Sequence, residues 1–91
     1  MMINDTVALL ISNKLLQSVF MEIAKNRSVQ FKDLNKNGVA NEQIEQAVTV
    51  LKEADLIKES PAPIRDFNMY YVTADGLNAS RKLSLAEGGH L

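Results

Sequence analysis

Between Leu15 and Ile23 the chain repeats apolar residues at helical spacing. Leu15, Leu16, Val19, Phe20 and Ile23 lie one, three and four positions apart, which collects them on one face of an amphipathic helix. Ser12 or Asn13 offers a side-chain oxygen to an orphan amide of the first turn, and Lys25 and Asn26 close the helix. Upstream, Asn4 or Asp5 can cap a separate short helix ending at Ile11. That segment carries Met1, Met2, Ile3, Val7, Leu9, Leu10 and Ile11. So many large apolar side chains exceed what one buried face of a monomer needs. The helix is therefore either an ordinary core element or a contact between subunits. Ser28–Phe31 reads as a short β-like piece. The stretch from Phe31 to Lys36 allows only a short helix, which Asn37-Gly38 stops. A second long helix follows, capped by Asn41, striped by Ile44, Ala47, Val48 and Leu51, and ending near Asp55. A short helix, a Gly-containing turn and a longer amphipathic helix make a helix-turn-helix.

Leu56-Ile57-Lys58-Glu59 is strand-like. Pro61 and Pro63 mark residues 60–68 as a loop. Met69-Tyr70-Tyr71-Val72-Thr73, aromatic and β-branched, reads as the return strand of a two-stranded hairpin. Thr73 or Asp75 then caps a last helix carrying Leu77, Ala79, Arg81, Lys82 and Leu83, and Gly88-Gly89 should end it. The pattern predicts an α+β, mostly helical fold: a helix-turn-helix, a two-stranded hairpin and a C-terminal helix. One domain should span 1–91, with an apolar N-terminal helix over 1–11, a core unit over 12–83 and a tail over 84–91. The expected core is Leu16, Val19, Phe20, Ile23, Leu34, Ile44, Val48, Leu51, Leu56, Tyr71, Val72 and Leu77.

Length changes the picture in one respect. A chain of 91 residues buries only about 60–65% of its unfolded surface and gains from a further staple. There is no Cys to form a disulfide, and the one His, His90, is next to the C-terminus, so no metal is expected. Oligomerisation remains as the common device. The apolar run Val7–Ile11 is too short for a signal-peptide core or a membrane span. Together with the lack of Cys this predicts a soluble, cytoplasmic chain with no membrane partner.

Enzyme chemistry has no foothold. No Cys or serine triad with a usable His, no Gly-rich phosphate loop and no metal-ligand spacing occurs. Glu42 and Glu45 share a helix face but read as solvated. The expectation is a binding protein without a cofactor. The net charge is −1, unlike the usual basic nucleic-acid binder. Its distribution is uneven. Lys25, Arg27, Lys32 and Lys36 face Asp33 alone over 25–36. Lys52 and Lys58 are outnumbered by Glu42, Glu45, Glu53, Asp55 and Glu59 over 37–59.

Three segments carry a family resemblance. Leu51-Lys52-Glu53-Ala54-Asp55-Leu56-Ile57 resembles the L-x-E-A-G-L-V that ends the recognition helix of ArsR- and MarR-type regulators. Ile11-Ser12-Asn13-Lys14 with Leu15, Val19 and Phe20 is similar to the L-S-[DN] start of the first ArsR-like helix. Tyr70-Tyr71-Val72-Thr73-Ala74-Asp75-Gly76 resembles the Y-x-L-T-x-x-G between wing and final helix in MarR-, PadR- and ArsR-like domains. The resemblance covers about Ile11 to Leu83 and implies a winged helix-turn-helix. Asp55 stands where the family has Gly, a position that wants a left-handed backbone, which Asp tolerates better than most residues. The metal-binding Cys and His of ArsR-type sensors are missing, and so are the extra helices of MarR proteins.

The resemblance implies double-stranded DNA as partner and a homodimer as the acting form. With Ile44, Val48 and Leu51 inward, the recognition helix turns Glu42, Gln46, Thr49 and Glu53 outward, flanked by Glu45 and Val50. Gln46 is a candidate to read adenine and Thr49 to reach a base or phosphate. Asn41 and Gln43 are candidates for phosphates near the helix start, Lys32 and Lys36 for the backbone, and Arg65 for the minor groove. Val7, Leu10, Ile11 and Leu83 are the candidate dimer contacts, because first and last helices form the subunit contact in ArsR-like folds. The alternative is a protein-interaction module, with a protein partner at the acidic recognition helix.

Overall fold

The computed structural model describes residues 3–35 and 38–88. Helix α1 (Ile3–Ser12) is followed by α2 (Lys14–Asn26). They are separate because Asn13 is extended, at φ −131°, and its Oδ1 accepts from Leu16 N at 3.1 Å. Asn13, not Ser12, is therefore the cap; Ser12 Oγ donates back to Leu9 O. At the other end of α2, Arg27 takes φ +69° and turns the chain into β1 (Ser28–Gln30). One turn of helix, α3 (Phe31–Leu34), then leads towards α4 (Asn41–Glu53), which packs across α2.

Asn41 does not cap α4 as the sequence suggested. The cap position is Ala40, whose carbonyl accepts from Gln43 N and Ile44 N. Asn41 is instead the first helical residue, and its Oδ1 accepts from the Asn35 amide. The helix ends at a residue in the left-handed region, Asp55 at φ +62°, followed by Leu56 N donating to Leu51 O.

Strands β2 (Ile57–Ser60) and β3 (Met69–Val72) form the expected antiparallel hairpin, with Ile57 opposite Val72 and Ser60 opposite Met69. Strand β1 adds a third member on the far side of β3, giving the order β1-β3-β2 with Val29 opposite Tyr70. Alternation along β3 corrects the expected core. Tyr70 is 2% exposed and Tyr71 42%. Successive strand residues point to opposite faces, so adjacent Tyr71 and Val72 could not both be inside. Leu77 is half-buried, while Ala79 and Leu83 fill the inner face of the last helix, α5 (Ala74–Gly88).

Thr73 starts α5. Its Oγ1 accepts from Gly76 N at 2.9 Å and donates to Asp55 O at 2.7 Å, so one hydroxyl ties the helix start to the end of α4. Helix α1 folds back onto α5. This packing corrects two of the expected dimer contacts. Leu10 is 0% and Leu83 2% exposed, so both belong to the chain's own core and are not offered to a second copy. On the outer side of α1, Val7 is half-buried, and Leu9 and Ile11 are exposed.

Candidate nucleic-acid interface

Ile44, Ala47, Val48 and Leu51 are buried against the core, which fixes the rotation of α4. At about 100° per residue the opposite face must then be Glu42, Gln46, Thr49 and Glu53. All four are exposed, as are Gln43 and Val50. The Thr49 hydroxyl donates to Glu45 O within the helix, so its oxygen and methyl remain for an outside partner. On the side towards α1 and α2, Gln43, Gln46, Ala47 and Val50 line a groove of about 200 Å³ with Leu9, Asn13, Leu15 and Leu16.

The other side of α4 is held by the hairpin through two ion pairs. Glu45 Oε2 lies 2.9 Å from Arg65 Nη1, and Lys52 Nζ lies 2.9 Å from Glu59 Oε1. Residues 45 and 52 are two turns apart, so they share one stripe of the helix. The two pairs run in opposite senses, helix acid to hairpin base and helix base to hairpin acid. Burial raises the Glu59 pKa, but hydrogen bonds from Lys52 and Tyr70 and the Lys52 charge outweigh it and hold the carboxyl below its ordinary value. The Tyr70 hydroxyl is pushed up by burial and by its hydrogen bond with Glu59.

The tip of the hairpin does not project freely. Arg65–Phe67 forms a single 3-10 turn that packs on α3. Asn68 anchors its end: Asn68 O accepts from Phe31 N at 2.9 Å, and Asn68 Oδ1 from Ala62 N at 2.7 Å. Two cation–ring contacts cross between the elements. Lys32 of α3 lies 5.3 Å from the centroid of Phe67, and Arg65 of the tip lies 5.1 Å from the centroid of Phe31.

The sequence-predicted residues fall as follows. Gln43, Gln46 and Thr49 stand together on exposed α4. Lys32 and Arg65 meet at the tip–α3 contact. Asn41 is half-buried at the start of α4, and its Oδ1 accepts from the Asn35 amide. Lys36 lies outside the described residues. Arg65 is not displayed at the end of an extended wing, because Glu45 and the Phe31 ring draw it back to the helix-turn-helix. The sequence reading missed Glu45, Glu59, Phe31 and Phe67 as partners. The cation beside an aromatic in Phe31-Lys32 and again in Arg65-Asp66-Phe67 was the available signal.

The sequence matches no family model and no curated protein. Solved structures do match the architecture. A transcriptional regulator homologue from Pyrococcus horikoshii OT3 superposes with a TM-score of 0.73 at 17% identity, over 99% of this chain and 95% of that one. MarR of E. coli, solved in complex with operator DNA, superposes with a TM-score of 0.68 at 15% identity, over 97% of this chain and 70% of that one. The chain has the winged-helix fold of MarR-type regulators. ZitR of Lactococcus lactis also matches, at 0.71 and 15% identity over 85% of this chain. This chain spans about half of ZitR, 53% of its length. In this fold α4 takes the position of the recognition helix and the β2–β3 hairpin that of the wing. Among the described residues no helix is long and apolar enough to cross a membrane, and no three His, Cys, Asp or Glu side chains gather as a metal site.

Proposed function

We propose that this protein is a DNA-binding regulator of the cytoplasm that acts as a homodimer, is not an enzyme and needs no cofactor. One observation carries the reading: the outer face of α4, with Gln43, Gln46 and Thr49, is exposed and unpacked in a fold shared with a protein solved on operator DNA. An unpacked polar helix face of this width fits the major groove, where Gln can bond the adenine edge. Lys32 and Arg65 supply phosphate contacts beside it. The dimer forms through the exposed Leu9 and Ile11 of α1 with Leu85 of α5.

Fluorescence anisotropy with labelled random duplex at low salt tests the reading. The protein should bind, and log affinity should fall linearly with log salt. A second reading is favoured by Glu42, Glu45 and Glu53 on α4, which approach phosphates at a Coulombic cost: a module that docks a basic protein segment through this helix. If no duplex binds at low salt while a Lys/Arg-rich peptide does, the second reading replaces the first.

A further inference from the structure

We infer that α4 selects thymine: the methyl groups of Thr49 and Val50 take the 5-methyl group of a thymine, on a base pair next to the one that Gln46 reads. The inference rests on the DNA-binding reading above. It starts from a bond within the helix. Thr49 Oγ1 donates to Glu45 O at 2.9 Å. A β-branched side chain is stiff about χ1, and this bond fixes it further. The hydroxyl proton is spent on the backbone, so Thr49 has no hydrogen left for a guanine or thymine oxygen. The methyl group, the other branch at Cβ, is what this exposed side chain presents. Val50 follows it, 37% exposed, and is the apolar residue among the exposed positions of α4.

What α4 lacks narrows the choice of base. Guanine is read in the major groove most often by Arg or Lys, through O6 and N7. Helix α4 holds no Arg, and its one Lys, Lys52, is tied to Glu59 of β2 at 2.9 Å. Glu42 and Glu53 lie near its two ends and can only accept, which suits the amino group of cytosine. The middle of the helix is left with Gln46, whose amide makes no bond among the described residues, and with Thr49 and Val50 three and four positions on. Those positions lie about 4.5–6 Å further along the axis, against about 3.4 Å between base pairs. One helix face thus spans an adenine edge and a thymine methyl on neighbouring pairs. A methyl contact is apolar and needs no cation. It gives an acidic helix a base preference that its repulsion from phosphates does not weaken.

The test starts from a duplex that the full chain enriches out of a random library at low salt. Anisotropy then compares this duplex with one carrying deoxyuridine in place of thymidine, which removes the 5-methyl groups and keeps every hydrogen-bonding edge. The parent should bind the uracil duplex about fourfold more weakly for each methyl it contacts, the transfer value of one buried carbon. Thr49→Val keeps a methyl, removes the hydroxyl and should retain the discrimination. Thr49→Ser keeps the hydroxyl and removes the methyl; combined with Val50→Ala it should bind both duplexes alike, with the circular dichroism unchanged. Equal binding of the two duplexes by the parent, or full discrimination by the Thr49→Ser, Val50→Ala double variant, overturns the inference and leaves the DNA reading standing. So does a parent that binds duplex yet enriches no sequence. A parent that binds no duplex at low salt overturns both.

Discussion

Gly76 occupies a position where a single methyl group decides the packing. A Cβ built there would lie 2.2 Å from Leu56 O and 2.7 Å from a methyl of Val72. The first of these is backbone in the strand-entry turn and cannot move aside. Gly76→Ala should therefore destabilise the chain by about 1–3 kcal/mol, the usual cost of overpacking, read as a lower urea midpoint with an unchanged slope. The two adjacent tyrosines give the complementary case. Tyr70→Ala should cost about 3–5 kcal/mol, like other buried aromatics, whereas Tyr71→Ala should stay within about 0.5 kcal/mol. Equal losses in the same melts would overturn the strand orientation. The sequence did not reveal which tyrosine is inside because Met69-Tyr70-Tyr71-Val72 is apolar throughout, and a period of two leaves no mark on a uniformly apolar run. Asp55 was legible: its left-handed conformation follows from the place it takes in the helix-ending segment.

At the scale of elements, the helices were readable because apolar residues recur along α2 and α4 at the helical period. Their joints were not. Glu45 and Arg65 stand twenty positions apart, and no local pattern announces a pair at that separation. The same holds for Leu10 and Leu83, whose burial depends on α1 folding back onto α5. The Lys52–Glu59 pair and the Tyr70 hydroxyl join α4, β2 and β3 and make that joint pH-sensitive. Glu59 has a depressed pKa in the folded chain, so its contribution is fully present above the ordinary value of 4.5 and is lost as pH falls through the lower folded value. Thermal melts should show the midpoint dropping on acidification below that point, with a shallower drop for Glu59→Gln. Equal slopes for parent and variant would show that other carboxylates dominate.

At the scale of the molecule, the apolar surface left over after folding is confined to a few places. Leu9 and Ile11 remain on α1 and Leu85 on α5, exposed by 41%, 40% and 70%. A two-fold contact that buries them is the commonest closed solution for such a surface. Ile11→Glu should convert a dimer into a folded monomer, measured by light scattering behind a sizing column at tens of micromolar. A parent that elutes as a monomer there would refute the dimer. Removing residues 1–10 is the poorer test, since it also deletes Leu10 from the core and should unfold the chain. The apolar richness of the N-terminal segment thus divides between a face that lies on α5 and an exposed face with Leu9 and Ile11, the one the proposed dimer would bury. A composition count cannot divide them, and the rotation of α1 does.

The central strand of the sheet is also the last of the three to be made. Ser28 must wait for Tyr71, and Leu10 for the helix after it. At about 5–20 residues per second of synthesis, β1 is out of the ribosome for roughly two to nine seconds before its neighbour exists. Through that interval Val29 and Phe31 have no sheet to cover them, and the first helix has nothing to lie on. A chain interrupted before Met69 holds three quarters of these 91 residues and none of the closure, so the fold is committed only once β3 and α5 have been made.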